Sequence, residues 1–376
     1  MKTTSWQTFR FAFVYINSQP TAYLIPPIIG TSAYLGWIAV LAGGALSLVP
    51  LWCSIRLGMY RPDQAWLDFG EEIVGKWLHR LVLALLVVWA VVYVSTDIES
   101  FTLFYGSNYM RETPQWFIHI VTSLVIIFTA RRGFSALVYM SDGLFFLTLT
   151  MLVLVLTSFF KDADVHQLTG LITHRNFGSA AKDSVFVFTF LGEWMVFLFI
   201  APYLQIGWKT LRNLASACIL VTIAVTIQWA LTFLNFGPHL GKLLQYPLVE
   251  LIRSSVTGLL GNTDPLLIGL WSTSMFIHSA FLLQIAARCL AKLLRVQQMH
   301  APLITILGGT AAAFAYQFAR NPTLYQFNFS SPPIVLFWVL VLFIPVYYWI
   351  VLLFRKHSKK REKPKSQPNS ASRTAN

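Results

Sequence analysis

The chain has 376 residues, of which 56% are apolar, 15% aromatic and only 11% charged, whereas ordinary soluble domains carry about a quarter charged residues. Its three cysteines, Cys53, Cys218 and Cys289, are too few and too scattered for a disulfide framework or a zinc site. The formal charge of +13 invites a nucleic-acid reading, but the placement of the charges argues for a membrane instead and for no nucleic-acid partner.

Apolar blocks recur from end to end, and windows of about 17–25 mainly apolar residues predict transmembrane helices. Ten such windows fall at 9–30, 35–57, 80–105, 115–130, 138–160, 185–204, 214–236, 265–289, 301–318 and 333–354. The chain is therefore read as an all-α polytopic membrane protein with one transmembrane domain over 1–354. A basic tail over 355–376, rich in Ser, Pro, Asn and Gln, lacks apolar residues to bury and is expected to be disordered and cytoplasmic. The first block is read as a retained helix rather than a cleaved leader, because Asn17-Ser18-Gln19-Pro20 interrupts it and a second span follows at once.

Basic residues set the orientation. With the N-terminus inside, the cytoplasmic loops and tail hold 21 of the 28 Lys and Arg residues, the asymmetry expected of ten spans with both termini cytoplasmic. Trp6, Trp37, Tyr347, Tyr348 and Trp349 read as interface anchors in the lipid bilayer.

Two spans are unlike the rest. The first carries Asn17-Ser18-Gln19-Pro20-Thr21 and then Pro26-Pro27; the sixth carries Gly192-Glu193 and then Pro202. Glu193 follows Asn17, and Pro202 follows Pro26, by the same 176 residues. Each broken span is followed by an ordinary span and then a short amphipathic segment opened by Pro62 or Pro247. Five spans followed by five of opposite orientation is the pattern of a 5+5 inverted repeat with broken helices 1 and 6. Proline removes a helical hydrogen bond, so the backbone opens locally, and opened backbone at membrane depth must face protein or a water-filled cavity. A pair of plain kinks that shape packing is the alternative. Paired breaks point to a solute site near the midplane.

The candidate site residues follow from that geometry. Asn17, Ser18, Gln19 and Thr21 line the first break, and Gly192 and Glu193 the second. Glu193 lies about eight residues into its span, roughly 12 Å deep at the helical rise, where a carboxylate must be protonated, paired or hydrated. Asp97 in span three stacks with Tyr93 and Phe101 at four-residue spacing, a strip suited to an amine, while Glu99 is expected to face water near the outer mouth. Ser274 and His278 share one face of span eight; a buried histidine there is also a common interhelical hydrogen bonder. Gln284 and Ser272 extend that cluster, Gln228 reads as a packing amide, and Asp142 as an ion-pair partner of Arg131 or Arg132. No GxSxG, Walker or HExxH pattern and no metal-ligand spacing occurs, so neither an enzyme nor a cofactor or metal is expected.

With these residues in view, the chain resembles the GerAB-like spore germination permeases. The resemblance rests on Leu24-Ile25-Pro26, Gly36-Trp37-Ile38, Phe69-Gly70-Glu71-Glu72-Ile73-Val74-Gly75-Lys76-Trp77-Leu78, Thr113-Pro114, Gly192-Glu193 and Tyr246-Pro247-Leu248-Val249-Glu250-Leu251-Ile252-Arg253. The chain departs from the family pattern at Ser18-Gln19-Pro20 and at Gly261-Asn262-Thr263-Asp264. The resemblance implies the amino acid–polyamine–organocation superfamily and the B subunit of a nutrient germinant receptor in the spore inner membrane. It further implies a small-molecule germinant of amino acid, sugar or nucleoside class, an A-type membrane subunit and a C-type lipoprotein as partners. The alternative function is a cation-coupled amino-acid transporter.

Overall fold

The computed structural model describes residues 3–159, 163–173, 176–204, 206–254, 264–296, 300–321 and 331–361. Those residues are helical throughout apart from turns. In chain order the helices are α1 (Ser5–Asn17), α2 (Pro20–Tyr23), α3 (Ile25–Thr31), α4 (Gly36–Gly58), α5 (Trp66–Val74), α6 (Lys76–Asn108), α7 (Gln115–Arg131) and α8 (Phe134–Phe159). They continue with α9 (Gly170–Thr173), α10 (Phe177–Leu191), α11 (Ala201–Leu204), α12 (Trp208–Gly241), α13 (Pro247–Ser254), α14 (Asp264–Leu294), α15 (His300–Ala319), α16 (Pro332–Leu342) and α17 (Ile344–Arg361).

Seven of the described helices are long and apolar enough to cross a membrane: α4 with the preceding turn, α6, α8, α10 with the 3₁₀ segment after it, α12, α14 and α15. An eighth span is the pair α16 and α17, bent by 43°. The other two expected spans are the kinked series α1 to α3 and the 17-residue α7. Each is short by itself, and the count of ten rests on them. Span seven extends past its expected end at 236: Gly237 takes a left-handed φ of 68° ahead of Pro238, and a further helical turn runs on to Gly241.

The two broken spans break differently. Ser18, Gln19 and Leu24 keep right-handed helical dihedrals, so the first span is a helix kinked by Pro20, Pro26 and Pro27 rather than the opened backbone that the prolines suggest. The sixth span is opened. Gly192 leaves the helix at φ −93° and ψ 5°, and the chain continues through Trp194–Ile200 as a 3₁₀ helix, an unusually long run that marks a strained or hinge-like segment. Gly192 is required by space: a Cβ there would lie 2.7 Å from the Phe188 carbonyl oxygen and 2.8 Å from its ring.

Helix packing repeats when the two halves are exchanged. The contact of α1 with α12 is matched by that of α10 with α4, α1 with α8 by α10 with α16, α6 with α15 by α14 with α7, and α4 with α17 by α12 with α8. The pairs α6–α14 and α4–α12 map onto themselves. The amphipathic helices α5 and α13 occupy equivalent places in the two halves.

Two local expectations are corrected. Asp142 pairs with Arg10 at 2.8 Å, not with Arg131 or Arg132, and also accepts from Gln7 Nε2 at 3.2 Å. The last helix runs to Arg361, so the start of the segment expected to be disordered from Arg355 is helical. Residues 362–376 lie outside the described residues, as do 261–263 of the segment before span eight.

Candidate functional site

The site begins with helical spacing in α1. Tyr15 and Gln19 are four residues apart and share a face, while Asn17 and Thr21 lie on the opposite face. Each pair meets different neighbours, so the first span separates two environments.

On the first face three ionisable side chains from three spans converge. His278 of α14 points Nδ1 at Asp97 Oδ2 of α6 at 2.9 Å and Nε2 at Glu193 Oε2 at 3.2 Å. Tyr15 donates its hydroxyl to Glu193 Oε2 at 2.6 Å, Ser279 donates to Asp97 Oδ2 at 2.5 Å, and Gln19 Nε2 donates to Asp97 Oδ1 at 2.6 Å. All six residues are at most 3% exposed. The imidazole is held between the rings of Tyr15, 4.7 Å away, and Tyr93, 4.9 Å away.

Proton counting constrains this array. A neutral imidazole has one N–H and one lone pair, so facing two carboxylates it would set a lone pair against an anion. The geometry therefore needs a proton beyond the neutral imidazole, on the ring or on a carboxyl, and the array then carries one net negative charge. One more proton, or one monovalent cation such as an ammonium group, makes it neutral, which the cost of buried charge favours. Among the described residues no His, Cys, Asp and Glu side chains are grouped to hold a metal ion.

The second face of the first span borders a small cavity of about 50 Å³. Asn17 and Thr21 line it together with Met151 of α8, Gln228 of α12 and Trp271 and Ser274 of α14. Gln228 Nε2 donates to Thr21 Oγ1 at 3.4 Å, and Thr21 donates to the Asn17 carbonyl at 2.9 Å. The amide oxygens of Asn17 and Gln228, two of the residues that line the cavity, are buried without a hydrogen-bond partner. A smaller cavity of about 30 Å³ adjoins it toward α13, sharing Thr21, Leu248, Leu267 and Trp271. Trp271 joins the two environments, since its indole N–H donates to the Ser18 carbonyl at 3.1 Å.

The residues singled out from the sequence therefore divide. Gln19, Tyr93, Asp97, Glu193 and His278 form the array, with Gly192 placing Glu193; Asn17, Thr21 and Ser274 line the cavity. Ser18 turns its hydroxyl back on the Tyr15 carbonyl at 2.8 Å. Ser272 and Gln284 belong to neither: Ser272 bonds Tyr105 at 2.9 Å, and Gln284 donates to the Ala130 carbonyl at 2.9 Å. Asp97 does not offer an open acidic strip, because His278, Ser279 and Gln19 occupy it.

Glu99 is corrected outright. It is fully buried, not at an outer mouth, and lies 2.7 Å from His119 Nε2, whose Nδ1 faces the Gln115 carbonyl at 2.7 Å. Asp97 and Glu99, two residues apart, thus each hold a histidine on opposite sides of α6. Sequence patterning also misses Tyr15 and Ser279, which adjoin residues it selects, and Asp183, which accepts from the hydroxyls of Thr31 and Ser32 and ties span six to span one. Asp183 lies two residues before the window expected for span six, and it is the helix that starts at Phe177 that brings it into the span.

A sequence model of the family described as "Spore germination protein" matches residues 5–323, and the chain belongs to this spore germination permease family. Spore germination protein XB of Bacillus anthracis is 20% identical over 276 residues, 72% of this chain and 76% of that protein. Spore germination protein YndE of Bacillus subtilis (strain 168) is 20% identical over 120 residues, 32% of this chain and 33% of that protein. Among solved structures, a Na+-coupled sialic acid symporter in a substrate-bound outward-open state aligns with a TM-score of 0.61 at 11% identity. It covers 91% of this chain and 79% of its own, a likeness of fold.

Proposed function

We propose that this chain is the membrane subunit of a spore germinant receptor, which binds a small nutrient germinant at the first span and signals to an A-type membrane subunit and a C-type lipoprotein. The germinant is an amino acid, a sugar or a nucleoside, and both termini face the cytoplasm of a spore inner membrane. The observation that carries this reading is the buried Glu193–His278–Asp97 array at the opening of span six, placed across span one from a cavity with two unpartnered amide oxygens. Family membership supports the germination role. Binding shifts a conformational equilibrium only to the extent that the ligand prefers one state, and we assign that change to the opened Gly192–Glu193 segment.

The second reading is a cation-coupled amino-acid transporter. It is favoured by the net negative charge of the array, which suits a coupling cation or proton, and by a fold shared with a Na+-coupled symporter. Fold alone does not choose between the two.

The test is a thermal-shift screen of amino acids, sugars and nucleosides on the purified protein, run beside uptake into liposomes. Stabilisation without accumulation is the expected result. Accumulation that depends on an ion gradient makes the chain a transporter. Glu193→Gln should abolish the ligand response while leaving protein yield intact; equal loss of protein marks Glu193 as a structural hydrogen bonder.

A further inference from the structure

A second concavity lies well away from the array, where α14 ends. His278 and Arg288 are ten residues apart on that helix, about 15 Å at the helical rise. The concavity, of about 840 Å³, lies between α5, the first turns of α6, the end of α14 and the segment carrying Phe199 and Tyr203. Its lining includes five cations, Lys76, Arg80, Arg288, Lys292 and Arg295, against two carboxylates, Asp68 and Glu71.

Two of those cations are already engaged. Lys292 pairs with Asp68 at 2.7 Å. Arg288 donates to the Phe199 carbonyl at 2.9 Å, with its guanidinium 5.9 Å from the Tyr203 ring centroid. His79, also in the lining, is satisfied as a neutral ring, with Nε2 on the Leu67 carbonyl at 3.1 Å and Nδ1 on the Tyr348 hydroxyl at 2.9 Å. Among the described residues, Lys76, Arg80 and Arg295 form no ion pair. Three cations therefore face one pocket against a single lining carboxylate outside any ion pair among those residues, Glu71, which leaves an excess of two positive charges.

The pocket's rim runs into an apolar stripe. Beginning one residue after Lys76, the outer face of α6 presents Trp77 (84% exposed), Leu81 (63%) and Val88 (55%), with exposed Ala84 between them. These positions recur at helical spacing over about 16 Å. The stripe belongs to a membrane span, so hydrocarbon covers it in the bilayer whatever occupies the pocket. A molecule with an anionic head and a hydrocarbon chain uses both, and basic pockets between transmembrane helices at a membrane face suit phosphate headgroups.

We propose that this pocket binds an anionic membrane phospholipid, with Lys76, Arg80 and Arg295 holding the phosphate headgroup and the 77–88 stripe of α6 carrying an acyl chain. The bound lipid bridges α6 and α14, which carry Asp97 and His278, to the part of span six beyond Glu193. It thereby fixes the far side of the segment that opens at Gly192.

The test titrates purified protein in a neutral detergent with phosphatidylglycerol, with phosphatidylcholine of the same chains and with glycerol phosphate alone, reading the melting temperature. Phosphatidylglycerol should stabilise with saturation, and the other two should not. At about five-fold per lost cation near a membrane surface, Arg80→Gln with Arg295→Gln should weaken the phosphatidylglycerol effect about thirty-fold. Lys76→Gln with Arg295→Gln, both exposed positions, provides the same readout if the first pair lowers the unliganded melting temperature. Lys209→Gln with Arg212→Gln, exposed cations at the start of α12, should leave the titration unchanged. Equal response to phosphatidylcholine overturns the proposal, as does equal potency of glycerol phosphate, which would make this a free-anion site. Equal weakening by the α12 pair overturns it by showing that diffuse surface charge suffices.

Discussion

Replacing His278 by leucine tests the electrostatic reasoning most directly. Leucine fills much of the imidazole's volume but supplies neither of the contacts to Asp97 at 2.9 Å and Glu193 at 3.2 Å. Removing one partner from a buried ionic group costs about 3–5 kcal/mol. Asp97 keeps Gln19 and Ser279 and Glu193 keeps Tyr15, so the low end, about 3 kcal/mol, is expected for His278→Leu. With an unfolding entropy of about 2 cal/mol/K per residue over 376 residues, that lowers the melting temperature by roughly 4 °C. Adding Asp97→Asn and Glu193→Gln removes both carboxylates while keeping their shapes, and should recover more than half of the loss. Intrinsic tryptophan fluorescence during heating of the purified variants measures both quantities. If His278→Leu melts like the parent, or if the triple variant melts lower still, the array is not an interdependent ionic cluster and the proton-counting argument fails.

Gly192→Ala places a methyl group 2.7 Å from a backbone carbonyl; it should cost about 1–3 kcal/mol in thermal melting, and Phe188→Leu should not rescue it, because the obstructing oxygen belongs to the main chain. Arg10→Gln removes a pair that is about one-fifth exposed on each side, so its stability loss should stay below about 1 kcal/mol and shrink with added salt in the same assay. His119→Leu strands the fully buried Glu99 and should cost about 3–5 kcal/mol, whereas His119→Leu combined with Glu99→Leu should return close to parental stability; additive losses in that cycle would show that the two side chains act separately.

The sequence reveals the architecture more fully than the chemistry, for physical reasons visible at particular residues. Spans are local features: about 18 or more apolar residues in a row declare themselves, and the helix-pair exchange between halves follows from the repeat seen in the Asn17–Glu193 spacing. The break at Gly192 is local too, since a carboxylate directly after a glycine at mid-span is tolerated only where neighbours satisfy it. The first break is less open than its prolines announce. Proline signals a missing hydrogen bond, but whether the backbone opens depends on neighbours, and here the dihedrals at Ser18 and Gln19 stay helical. Partners are the illegible part. Glu193, Asp97 and His278 each stand out singly, yet their meeting requires three spans in register, which no window of sequence encodes. Glu99 shows the same limit, since its place in α6 is readable and its histidine, twenty residues on in another helix, is not.

The arrangement around the first span has a mechanical consequence. Tyr15 and Gln19 hold the array, Asn17 and Thr21 wall the cavity, and Pro20 sits between them at the kink, so a change of kink angle moves both faces together. Trp271 strengthens that link, being at once a cavity wall and the donor to the Ser18 carbonyl, one residue from the Gln19 that holds Asp97. A ligand that merely fills the cavity without disturbing Trp271 or the two amide oxygens binds both arrangements equally and shifts nothing, however tightly it binds. In the proposed receptor, a ligand that recruits those oxygens would draw Asn17 and Gln228 toward itself, and the displacement would reach Asp97 through Gln19, which holds it. Reversing a 1:99 population by that route takes about a 10⁴-fold preference between states, more than one neutral hydrogen bond supplies. In the proposed receptor, a proton or cation that neutralises the residual charge of the Glu193–His278–Asp97 array would add to that preference.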